Sequence, residues 1–206
     1  MSHSDANQEA IARLLLTSLT DNQLLLIGEI AVLWNNNEFL FEHLIWRAAG
    51  WEQEIGELVT ADLLSASRET LAKNIIERNV NASEWKEYSL ATVEFFTEAR
   101  ITRNNLVHSL PALEPGTFLS SVGHKRSAKS GKGVLKTTKY DISAKALSDF
   151  TLALNDLRIA LRTSEIRLRG FASPPTDDTP ITLLEISEIR NWIDRLHSQH
   201  RSEGKA

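Results

Sequence analysis

The chain has 206 residues, 42% of them hydrophobic and 24% charged, a net charge of −4 and no cysteine. That length fits one soluble domain with a real core, and the missing thiols exclude disulfides, thiolate metal sites and a cysteine nucleophile. The first ten residues are polar, with no basic stretch ahead of an apolar run, so no signal peptide is read there. The apolar run over 24–33 is short and contains Glu29, which argues against a membrane span. A cytoplasmic protein with no membrane role is the expectation. The net charge hides an asymmetry: residues 117–140 carry Lys125, Arg126, Lys129, Lys132, Lys136 and Lys139 with no Asp or Glu. Removing those six positive charges takes the remainder from −4 to −10, so an acidic body carries one basic segment.

The pattern is helical almost throughout. A first helix is predicted over about 6–19, and Thr20-Asp21-Asn22 supplies caps for a long one over about 21–48. In the long one Leu24, Ile27, Ala31, Trp34, Phe41, Ile45 and Ala48 recur at spacings of three and four, with Glu38 interrupting the stripe and Gly50 as a stop. A shorter helix is expected over about 62–79, with Leu64, Leu71 and Ile75 inward. Asn81-Ala82-Ser83-Glu84 reads as a capping box opening a helix over about 82–109. Trp85, Tyr88, Thr92, Phe95, Ala99 and Leu106 form its core stripe, and Val93, Phe96, Arg100, Arg103 and Val107 form a second stripe about 100° round the helix. Pro111 ends it.

Residues 112–141 break the helical period, with Phe118-Leu119 and Val134-Leu135 around Gly123, Gly131 and Gly133; a two-stranded hairpin or a loop is expected. Another helix follows over about 143–169, with Leu147, Phe150, Leu154, Leu157, Leu161 and Leu168 on one side and Gly170 closing it. After a Pro-rich linker at 171–179, Thr179 and Pro180 are read as the start of a last helix to about 198. Ile186, Ile189, Ile193 and Leu196 point inward there, it is expected to pack on the domain formed by 1–170, and 199–206 are read as a frayed tail. The fold class is therefore all-α, an up-and-down bundle of four to five helices with a short basic hairpin or loop after the fourth.

Chemistry concentrates in Arg103-Asn104-Asn105-Leu106-Val107-His108. Arginine offers a forked, permanently charged donor for phosphate, and histidine moves protons near neutral pH. On a helix Arg100, Asn104 and His108 fall at i, i+4 and i+8, one row about 6 Å apart, with Arg103 at its edge. Arg-to-His spacings of this kind are cheap, and the chain holds two more, Arg190 to His197 and Arg195 to His200. Context favours the first, because it lies on the best-formed helix and is followed by Ser109 and a turn.

This Arg-Asn-x-apolar-apolar-His-small run resembles the Arg-x4–6-His signature of the HEPN superfamily, and the helical bundle over roughly 21–169 resembles the HEPN fold. The resemblance implies a metal-independent endoribonuclease without cofactor, in which the RNA's own 2′-hydroxyl attacks and leaves a 2′,3′-cyclic phosphate and a 5′-hydroxyl. His108 would transfer the proton, Arg103 would hold the scissile phosphate, and Asn104 would orient His108 or the phosphate by hydrogen bonding. Arg100, by geometry alone, would be a supporting phosphate contact. Lys125, Arg126, Lys129 and Lys132 would grip the RNA backbone electrostatically. The resemblance further implies a homodimer whose motif helices meet, with Val93 and Phe96 packing across the two-fold axis. It also implies a toxin or defence role, with an antitoxin or nucleotidyltransferase as partner. The same residues admit two other accounts. One is a catalytically inactive helical dimer binding RNA or a protein. The other is a structural network in which His108 caps a helix end and the arginines pair with Glu94, Glu98 or acids of a neighbouring helix. No recognisable metal set accompanies His197 and His200, and His43 is read as a surface or core-edge residue.

Overall fold

Thr20 begins the first long helix by a reciprocal cap. Its hydroxyl accepts the Gln23 N–H at 3.2 Å, while Gln23 Oε1 accepts the Thr20 N–H at 2.8 Å, so two otherwise orphaned donors are satisfied. The computed structural model describes residues 18–81, 83–108, 110–112, 122–128, 135–169 and 184–201. The helix predicted over 6–19 lies outside them, apart from a turn at Ser18 and Leu19. Among the described residues there are six helices: α1 (Asp21–Ala49), α2 (Gln53–Thr60), α3 (Ser65–Asn79), α4 (Ser83–Val107), α5 (Ala144–Arg169) and α6 (Ile186–Arg201). Strands β1 (Leu110–Ala112), β2 (Val122–Ala128) and β3 (Leu135–Asp141) lie between α4 and α5. The protein is a helical bundle carrying a small inserted sheet. None of the described helices is long and apolar enough to cross a membrane.

The chain divides into two compact units, one from 32–100 and 152–200, the other from 1–31, 101–151 and 201–206. In the first, the hydrophobic effect gathers Trp34, Phe41, Leu44 and Ile45 of α1, Ile76 of α3, Val93, Phe95 and Phe96 of α4, and Leu154, Leu157 and Leu161 of α5 into one core. Phe96 stacks on Phe41 with ring centroids 3.9 Å apart and on Trp34 at 5.0 Å. Asn37, fully buried, donates to the Leu154 carbonyl at 2.9 Å, and the buried hydroxyls of Ser164 and Thr92 meet at 3.3 Å. The ring of α6's Trp192 donates to Asp156 at 2.6 Å, and Arg190 of α6 pairs with Glu87 of α4. Ile189, Ile193 and Leu196 are buried as predicted, with Ile186 half-buried.

Several inward faces differ from the sequence reading. In α1 the buried positions are Gln23, Ile30, Leu33, Trp34, Asn37, Leu40, Phe41, Leu44, Ile45, Trp46 and Ala48, whereas Leu24 and Ala31 are exposed and Ile27 is half-buried. The helix is apolar on more than one side, and only its neighbours decide which side is covered. In α3 the inward residues are Glu69, Ala72 and Ile76, not Leu64, which is 78% exposed, nor Leu71 and Ile75, which are half-buried. Residues 53–60, which carry no element in the sequence reading, form α2, so α3 starts at Ser65 instead of 62. The last helix starts at Ile186 and not at 180: Glu188 accepts the Glu185 N–H at 2.9 Å and closes the N-terminus there. It runs on to Arg201, beyond the predicted end at 198.

Trp46 lies under α2. Its indole N–H donates to Thr60 Oγ1 at 3.2 Å, and a Cβ added at Gly56 would come within 2.6 Å of the ring atom Cδ1. Only a residue without a side chain lets the α2 backbone rest on this ring. Gly56→Ala is therefore expected to destabilise by roughly 1–3 kcal/mol through overpacking, although alanine is the better helix former. Urea unfolding of the two proteins checks it; an unchanged or higher midpoint would show that Trp46 moves aside freely.

In the second unit, Ser143 caps α5 by accepting the Ala146 N–H at 3.2 Å. Gln23 reaches across 119 residues to donate to the Ile142 carbonyl at 2.8 Å. The sheet has the order β1-β2-β3 and is antiparallel throughout. The expected hairpin is thus β2–β3, and β1 adds a third strand. Pro111, read as a helix stop, lies in β1 opposite Gly123; an edge strand tolerates a residue with no N–H to give.

Candidate functional site

The motif residues lie where α4 ends. Val107 is the last helical residue, and His108 forms the turn that follows, its N–H still donating to the Asn104 carbonyl at 3.2 Å. One helical turn therefore separates Asn104 from His108, as the spacing predicts. Arg103 and Asn104 are half-buried and His108 is exposed. The Arg103 guanidinium donates from Nη1 to Asn104 Oδ1 at 3.1 Å, so the amide orients the arginine. The neighbouring Thr102 and Asn105 are buried, 5% and 9% exposed. Of the two consecutive asparagines, Asn104 takes the open side and Asn105 the inner one.

Arg100 belongs to the other unit, where its guanidinium forks onto Glu69, with Nη2 to Oε2 at 3.3 Å. Glu69 is only 6% exposed, and a buried carboxylate needs such a partner. Arg100 is therefore a structural ion pair, and the expected row of Arg100, Asn104 and His108 as phosphate contacts shortens to the last two. Glu94 is exposed; the acid that takes Arg100 comes from α3, a tertiary pairing with no signal in the local sequence.

The basic segment adjoins the motif through the sheet. β1 begins two residues after His108, and Leu110 pairs with His124 of β2. β2 carries Lys125 and Arg126, and β3 carries Lys136 and Lys139. In the ladder Lys125 is in register with Thr138, Arg126 with Thr137, Ser127 with Lys136 and His124 with Lys139. In this register no lysine or arginine of the two strands stands directly opposite another. Lys129 and Lys132 lie outside the described residues.

The competing arginines are engaged elsewhere. Arg190 pairs with Glu87, and Arg195 sits over the Trp192 ring at 5.0 Å. His43 is a core-edge residue, its ring 4.3 Å from that of Phe39 and 4.6 Å from that of Trp46, with Nδ1 3.8 Å from Glu165. Beside it, burial pushes the Glu42 carboxyl above its usual range, although Arg68 at 2.5 Å pulls the other way. Among the described residues no group of three or more His, Asp or Glu side chains is placed to hold a metal ion.

The dimer seam predicted through Val93 and Phe96 is overturned. Both are buried within the chain, 0% and 1% exposed, because α4 is covered on two sides. Compared with known proteins, the chain matches no family model, no curated protein and no solved structure.

Proposed function

We propose that this protein is a metal-independent endoribonuclease of HEPN type, acting as a toxin or defence effector. One observation carries the reading: Asn104, which holds the Arg103 guanidinium, stands near the end of α4 one turn before the exposed His108. Arg103 binds the scissile phosphate and stabilises charge on its oxygens. His108 takes the proton from the RNA 2′-hydroxyl as that oxygen attacks phosphorus, and a proton is returned to the departing 5′-oxygen. The products are a 2′,3′-cyclic phosphate and a 5′-hydroxyl. Where two copies line one cleft, the apolar contact at this helix end is Val107, 45% exposed, in place of Val93 and Phe96. The test is incubation of the protein with labelled RNA in EDTA, scoring products for cyclic-phosphate ends. Intact RNA would overturn the enzymatic reading.

The basic ladder supplies RNA grip. Lys125→Ala with Arg126→Ala is expected to weaken RNA binding at low salt for all sequences alike. It should also reduce the slope of log affinity against log salt by about 0.7 for each phosphate no longer neutralised. An unchanged slope would place the grip on the RNA backbone elsewhere. A binding module without catalysis is the second reading, favoured by the neutralisation of Arg100 by Glu69, which leaves the motif with one guanidinium.

A further inference from the structure

α2 is an amphipathic helix turned outward. Its buried residues are Gly56 and Thr60, while Ile55, Leu58 and Val59, at i, i+3 and i+4, are 52%, 81% and 39% exposed. Leu64, just beyond the helix, is 78% exposed. This orientation is fixed: the Thr60 hydroxyl accepts from Trp46 Nε1, the Gly56 backbone lies on the indole, and Arg68 Nε donates to the Thr60 carbonyl at 3.1 Å. Rotating the apolar side inward would put branched side chains where even a Cβ does not fit. Contiguous exposed apolar residues with a polar rim mark interaction surfaces, and the charges that α2 and its flanks contribute are all of one sign. Glu52, Glu54, Glu57 and Asp62 are all exposed, and residues 52–62 contain no Lys or Arg.

We infer that α2 is a docking helix for a partner protein's amphipathic segment, one whose apolar face is flanked by lysine or arginine. Charge complementarity selects this occupant. A second copy would set four carboxylates against four more, and RNA or an anionic membrane would meet the same repulsion. Helix-on-helix burial of Ile55, Leu58 and Val59 supplies the affinity, and the acids supply orientation and partner choice. The inference stands on α2 alone and does not depend on nuclease activity.

The experiment measures fluorescence anisotropy of a labelled peptide of leucine and lysine, about four helical turns long, with all leucines on one helical face, titrated with the full chain. Two controls are the twin with glutamate for lysine and a peptide of the same composition in scrambled order. Saturable binding of the basic amphipathic peptide alone is expected, weakened about tenfold by Leu58→Ser. Glu54→Gln with Glu57→Gln should flatten its salt dependence. Leu58 is mostly solvent-exposed, so the serine variant keeps the fold, checked by an unchanged thermal midpoint. The inference is overturned by no saturable binding, by equal binding of the scrambled peptide, or by indifference to Leu58→Ser. A dimer that Leu58→Ser converts to monomer would overturn it too, by assigning the face to a second copy; so would adsorption of the wild type, but not the variant, to phosphatidylcholine vesicles.

Discussion

His108→Ala is expected to lower RNA cleavage by about 10²–10⁴-fold, the usual contribution of a positioned proton-transfer group. The folded state should hardly change. His108 is exposed and follows the last helical residue, and surface substitutions of this kind usually fall within about 0.5 kcal/mol. Initial rates on labelled RNA in EDTA, with thermal midpoints measured on the same preparations, separate the two effects. Arg103→Lys is the natural companion: it keeps the charge but loses the planar fork that donates to Asn104 and that the proposed reaction uses to hold phosphate. Equal cleavage by wild type and His108→Ala would place the chemistry at another site or in a contaminant.

Phe96→Ala is expected to destabilise by about 3–5 kcal/mol, the cost of deleting a buried phenyl ring and leaving a cavity. Phe96 is 1% exposed and stacks nearly parallel to Phe41, at 5° between ring planes, with the Trp34 ring also against it at 30°. Against a total stability of about 5–15 kcal/mol, that loss is a large fraction, so urea or thermal melts will show it plainly. Its dependence on concentration is informative as well. A residue in a two-fold seam loses association on truncation, whereas Phe96→Ala should lower the midpoint equally at all protein concentrations. A folded, newly monomeric Phe96→Ala protein would contradict the core placement.

What is legible in the sequence follows from local chemistry. α1, α4 and α5 begin and end within two residues of expectation; for α1 and α5 this is because Thr20 and Ser143 are caps and Gly50, at φ +70°, is a stop that other residues adopt with strain. The motif's own geometry, Asn104 and His108 one turn apart, is a property of a single helix and needs no tertiary information. What the sequence hides is everything that depends on the neighbour. Phe96 reads as an interface residue because α4 has two apolar stripes, which describes equally well a helix covered from both sides. Arg100 reads as available to phosphate because Glu69 lies 31 residues away in the chain. α2 leaves no trace because eight residues give little periodicity, and its apolar side faces the solvent against the ordinary rule. Pro111 conceals β1, because proline signals a helix end more strongly than an edge strand.

The Gln23 amide, held by Thr20 on one side and by the Ile142 carbonyl on the other, bears on how much extra chain the sheet tolerates. It pins the point where the chain returns from the sheet to α5, while the unbroken α4 pins the point of departure. With both ends anchored, lengthening a connection between strands adds only loop-closure entropy, about 0.6 kcal/mol per doubling. An engineered extension of one of these connections is therefore expected to leave both anchor points in place, with the thermal midpoint as the check.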